Sequence, residues 1–228
     1  MALLLPLNQL VIKMQKLQNR AIFQEFHPFY HCCWHAANEV MELEAALDEL
    51  MEETTDREMT EEESKTSLEL QHFLHMNEIS APVFGVTAAE SFIYNYGVST
   101  ISQKHRHSVE HIDKIDTYSK WILIPALSCG KEIDKNSTAM NDFNQLIKVR
   151  NAIIHSKPKI VNNFSDDQIV RAGEKIENQA KERRAIAKKA PSIFIHLVQE
   201  LLKVDDRDEL KKMIFGMSLP VPGISPVT

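Results

Sequence analysis

Apolar positions recur at helical spacing through most of the chain. From about Pro6 to Leu50 the spacing predicts two helices with a break near His27 and Pro28, because proline cannot donate to the preceding turn. The second of these, Phe29 to Met51, ends in an acidic solvent face. Thr54 to Thr66 is rich in Glu and almost without apolar side chains, which reads as a solvated loop or a helix start. Thr60 followed by Glu63 has the spacing of a capping box opening the next helix. Leu68, Leu70, Phe73, Leu74 and Met76 then form an apolar stripe that runs to Ile79. Ser80, Ala81 and Pro82 read as a joint. Beyond it, Val83 to Ile101 is strongly apolar and contains Ala88, Ala89, Ser91 and Gly97, the composition of a helix buried on more than one side. Glu90 and Asn95 are its polar exceptions, and Gly97 is a place where it could end early.

The second half follows the same grammar. After a polar stretch from His105 to Asp116, Ile115 to Leu127 is apolar, contains Trp121, and is punctuated by Pro125 to Gly130. Lys131 to Asn141 reads as a loop. Phe143, Leu146, Ile147, Ile153 and Ile154 predict a helix whose buried stripe carries Lys148, Arg150, Asn151 and His155, closing at Ser156 to Pro158. Phe164 to Lys189 is a charged helix with Ser165 as N-cap and Asp166 and Asp167 in the first turn, where they suit the helix dipole. Pro191, at a first helical position, opens a last apolar helix from Ser192 to Val204. From Gly216 the glycines and prolines predict a disordered tail.

With only 6 Gly and 9 Pro in 228 residues, and no alternating strand run, the expected class is all-α. The organisation expected is an acidic helical region over 1–80, a helical domain over 81–215 and a tail over 216–228. Charge divides the same way. Residues 1–80 carry 5 Lys and Arg against 15 Asp and Glu; residues 81–228 carry 21 against 17, so the net −6 conceals +4 in the C-terminal two thirds. A phosphate-bearing partner is drawn to that part. The acidic third could also lie across a basic cleft and restrain it.

Three cysteines, two of them adjacent, make no disulfide framework, and a reducing compartment is the expectation. The apolar opening Ala2 to Leu7 is too short for a signal sequence, and no run of ~18 apolar residues exists, so no membrane span and a cytoplasmic location are expected.

The chemistry concentrates at Arg150, Asn151 and His155. Histidine titrates near neutrality and can act as base or acid; arginine presents a fixed fork of donors to phosphate oxygens. Upstream lie Lys120 and Trp121 on an apolar helix, Ile124-Pro125 and Gly130-Lys131; downstream lies Lys157-Pro158. In this order the residues resemble the HEPN family over roughly 80–205. Its signature is an arginine, a polar residue after it, and a histidine beyond a gap of four to six residues. The resemblance implies a bundle of four to five helices and a metal-independent endoribonuclease that needs no cofactor and forms a 2′,3′-cyclic phosphate. It implies RNA as substrate, a homodimer that brings two Arg/His sets into one cleft, and a toxin–antitoxin or prokaryotic defence setting with an antitoxin or other partner protein. Where members paired with a nucleotidyltransferase antitoxin carry a tyrosine two residues after the histidine, this chain has Lys157. The alternative is a catalytically inactive HEPN-type module that binds RNA, a nucleotide or a protein.

Supporting roles are expected for Glu90, facing Arg150 or a polar cleft, and for Asn95 and Lys157. RNA contacts are expected from Lys104, His105, Arg106, His107, Lys148 and Lys159, with the basic run Lys181 to Lys189 as a phosphate-steering surface. One geometric difficulty is built in. Positions five apart on a helix lie ~140° around the axis and ~7.5 Å along it, so Arg150 and His155 do not share a face. His27, His31 and His35, beside Cys32 and Cys33, do share one, with His72 and His75 as distant further donors. They read as a surface or packed interface, and no metal site is expected.

Overall fold

The computed structural model describes residues 26–101, 111–112, 114–155, 166–207 and 210. Among them are five helices and no strand, so the chain is all-α. They are α1 (Phe26–Glu53), α2 (Glu61–Thr100), α3 (Thr117–Cys129), α4 (Thr138–Ile154) and α5 (Asp166–Val204). The helix expected before His27 and the tail after Gly216 lie outside the described residues.

Pro28 falls in the first turn of α1, where its missing N–H would have had no intrahelical partner. Phe26, Tyr30, Cys33, Ala36, Ala37 and Val40 give α1 one buried stripe. The capping box at the start of α2 forms as its sequence predicts. Thr60 Oγ1 accepts from Glu63 N and Glu63 Oε2 accepts from Thr60 N at 2.8 Å. Arg57 clamps the same carboxylate, and these bonds, Arg57's foremost, draw the Glu63 carboxyl down to about 2.

Two expected breaks are absent. α2 runs 40 residues straight through Ser80, Ala81 and Pro82, and α5 runs 39 residues through Pro191. Each proline removes one backbone bond, but Ala81, Pro82, Gly85 and Val86 are buried, as are Ala187, Ala190 and Pro191. Tertiary packing on both sides of the proline carries the helix past it. A Cβ on Gly85 would meet Cys33 Sγ of α1 at 3.2 Å, Ala190 Cβ of α5 at 3.3 Å and Leu146 Cδ2 of α4 at 3.5 Å, so four helices approach one another at this residue. Gly97 does not end α2 either. A Cβ there would lie 2.9 Å from Ile124 Cγ2, so this glycine lets α3 approach.

α3 is capped by Asp116, which accepts from Ser119 N at 2.9 Å, and ends on Gly130 with a left-handed φ of 73°. α4 begins earlier than the expected loop allows, because Ser137 Oγ accepts from Met140 N and takes residues 138–141 into the helix.

The core gathers one ring from each helix. Phe92 meets Phe26 and Phe194 edge-on at 5.3 and 5.6 Å, and stacks on Trp121 at 5.9 Å, which in turn meets Phe143 at 6.1 Å. All five are fully buried or nearly so. Phe26 and Tyr30 thus place α1, from the acidic part of the chain, in the same core as the C-terminal helices.

Candidate functional site

Arg150, Asn151 and His155 occupy the last turn and C-cap of α4. Ala139, Met140, Phe143 and Leu146 anchor the first half of that helix in the core. The stripe weakens toward the end: Ile153 is half-buried and Ile154, expected inside, is 52% exposed. His155 leaves the helical region, with φ −102° and ψ 20°, but its N–H still donates to Asn151 O at 2.9 Å, so the turn closes beneath it. Asn151 and His155 are exposed and Arg150 is half-buried. Among the described residues no carboxylate pairs with Arg150, Lys148 or His155. Arg150 continues the stripe of Phe143, Leu146 and Ile147 at helical spacing, whereas His155, seven residues beyond Lys148, returns to within ~20° of Lys148 around the axis. One copy of α4 therefore turns its arginine and its histidine to different sides.

The Lys148 side of α4 faces a groove of about 650 Å³. α4 lines it with Gln145, Lys148, Val149, Ala152 and Ile153. α2 contributes His75 and Ile79, and α5 contributes Gln179, Glu182 and Arg183.

Glu90 does not reach Arg150. Its Oε1 accepts from Lys120 Nζ at 2.6 Å; Lys120 is 2% exposed, so the carboxylate serves a buried ammonium of α3. Asn95 is buried. Lys104, His105, Arg106, His107, Lys157 and Lys159 lie outside the described residues.

The basic run on α5 is not a free surface. Glu78, 2% exposed, accepts from Arg183 Nε and Nη2 at 3.2 and 3.1 Å and from Arg184 Nε at 2.6 Å. Glu44 accepts from Arg184 Nη1 at 3.3 Å and from Lys188 Nζ at 2.5 Å, and Lys181 pairs with Glu177. The acidic helices α1 and α2 thus neutralise much of what the basic run offers. Lys188, first, holds the Glu44 carboxyl below its usual range. Glu78 had a signal in the sequence: it sits four residues after Leu74 and four before Pro82, a charge on a buried stripe.

His27 and His31 lie side by side along α1 with ring centroids 4.9 Å apart and planes tilted by 35°; burial, then His31, lowers the basicity of His27. Cys32 is exposed, while burial pushes the Cys33 thiol well above its usual range. Among the described residues no group of three or more His, Cys, Asp or Glu side chains is placed to hold a metal, and no helix is long and apolar enough to cross a membrane. A polar cluster that the sequence did not single out closes the far end of the bundle. There Tyr96 Oη donates to Asp205 Oδ2 at 2.6 Å and Arg207 Nε donates to Asp205 Oδ1 at 2.8 Å.

Comparison with protein-family models, with curated proteins and with solved structures gives no match to this chain.

Proposed function

We propose that the chain is a HEPN-type, metal-independent endoribonuclease acting in prokaryotic defence or a toxin–antitoxin setting in the cytoplasm, with Arg150, Asn151 and His155 as its catalytic residues. The observation that carries the reading is the end of α4. It holds an exposed imidazole, an exposed amide and a guanidinium without a carboxylate partner among the described residues, at the end of a helix whose first half is anchored in the core.

In the proposed reaction His155 removes the proton of a ribose 2′-hydroxyl. The 2′-oxygen attacks phosphorus, the P–O5′ bond breaks, and a proton passes to the leaving 5′-oxygen, giving a 2′,3′-cyclic phosphate and a 5′-hydroxyl. Arg150 offsets the charge that develops on the phosphorane oxygens, and Asn151 orients the phosphate. Because Arg150 and His155 of one α4 diverge by ~140°, the site is completed by the same turn of a second copy. Its histidine is the acid while this one is the base.

The alternative, a catalytically inactive interaction module, is favoured by the pairing of Arg183, Arg184 and Lys188 with Glu78 and Glu44, which leaves less positive surface to steer RNA. Incubation with mixed RNAs in EDTA separates the two. The ribonuclease cleaves, and His155→Ala or Arg150→Ala lowers the rate by on the order of 10²-fold or more. No cleavage by the parent chain, or undiminished cleavage by both variants, overturns the ribonuclease reading, and the first outcome leaves the module.

A further inference from the structure

The groove between α2, α4 and α5 collects groups that the cleavage chemistry does not use. Arg183 is fixed from behind by Glu78, and its Nη2 lies 3.2 Å from His75 Nδ1. Arginine can only donate, so His75 Nδ1 accepts and the ring carries its proton on Nε2. Among the described residues nothing accepts from Arg183 Nη1, and no carboxylate pairs with Lys148. The groove therefore holds a preorganised guanidinium edge, an imidazole held by that guanidinium and an adaptable ammonium. Ile79, Val149 and Ile153 supply apolar wall, and Gln145 and Gln179 supply amides that can both donate and accept. Of the lining side chains Lys148 and Arg183 are cationic and Glu182 is anionic; Glu78, behind the lining, already pairs with Arg183, so Lys148 is the cation there without a carboxylate partner among the described residues. Its volume, about 650 Å³, lies within the ~300–1,000 Å³ of ligand clefts.

We infer that this groove binds a nucleotide unit, with the phosphate on Arg183, His75 and Lys148 and the base against Ile79, Val149 and Ile153. Free phosphate alone would leave the apolar wall bare; an apolar ligand would leave Arg183 Nη1 and the Lys148 ammonium without acceptors. The unit belongs either to a free nucleotide or to an RNA strand. As a strand it deepens the ribonuclease reading and rests on it, since Lys148 and His155 share a side of α4 and lie ~10 Å apart along it. A chain seated at Lys148 then runs toward the histidine.

The test is anisotropy of a labelled 2′-O-methyl RNA hexanucleotide, which has no nucleophilic hydroxyl, with unlabelled AMP as competitor, in EDTA at low salt. Lys148→Gln is expected to weaken binding about tenfold, Glu182→Gln to tighten it, and Ala152→Trp to abolish it by filling the groove. Lys148, Glu182 and Ala152 are exposed, and opposite shifts from the two charge variants cannot come from a damaged fold. AMP displacement identifies a free-nucleotide site, and its absence a strand site. The inference is overturned if neither probe binds the parent chain, if Ala152→Trp binds as the parent does, or if the two charge variants leave affinity unchanged or move it the same way. Loss of cleavage activity has no bearing on this readout, so the two readings fail separately.

Discussion

Along α2 the bundle changes character within fourteen residues, about 21 Å. At Phe92 it is held by a ring from every helix; at Glu78 it is held by charge. The aromatic layer stabilises through area removed from water, and a ring can shift against its neighbours at modest cost. The Glu78 seam stabilises only in one register, because a slip of α5 by one residue carries Arg184 away from both Glu78 and Glu44. The two regions divide the labour: one supplies most of the stability, the other fixes how α1, α2 and α5 align. That alignment shapes the groove, since Arg183 and His75 belong to both seam and groove.

Substitutions can break this comparison in order of size. Phe92→Ala opens a cavity among three rings and is expected to cost ~3–5 kcal/mol in urea denaturation; a loss under ~1.5 kcal/mol would mean that the layer is loosely packed. Glu78→Ala is expected to cost about 3 kcal/mol, the lower end for a broken buried pair, because both arginines keep some contact with water. If it costs more than Phe92→Ala, charge and not area dominates. The smallest effect is on pH. Bonds from Arg207, then Tyr96, hold the Asp205 carboxyl at about 2, below its usual 3.8. A depressed carboxyl contributes stability that is fully present above pH ~4 and is lost as pH falls through about 2. The loss amounts to roughly 2 kcal/mol. Arg207→Ala should flatten acid denaturation in that window, and an unchanged curve would remove Asp205 from the account.

The all-helical class and the caps at Thr60, Asp116 and Ser137 were within reach of local rules, although only the Thr60 box was read in advance. Such features depend on residues a few positions apart. Pro82 and Pro191 suggest helix breaks for the same reason, yet both lie inside continuous helices. Their cost is local and visible, whereas the packing around Gly85 that offsets it comes from Cys33, Leu146 and Ala190, on three other helices distant in the sequence. The divergence of Arg150 and His155 followed from periodicity alone. The partner of Glu90 did not, because choosing Lys120 over Arg150 requires knowing how α3 crosses α2. The groove was illegible for a further reason: in the sequence His75 is only a distant donor beside the α1 histidines and Arg183 only one of a basic run, and the meeting of α2 with α5 gives them a common use.

The two interior prolines also have a mechanical meaning. Pro82 deprives the Glu78 carbonyl of its helical donor, and Pro191 does the same to Ala187. Gly85 and Ala190 touch, so these missing rungs lie within about a turn of each other on neighbouring rods. At the layer between the aromatic rings and the Glu78 seam, both long helices therefore do without a backbone rung and depend on the close packing around Gly85 instead.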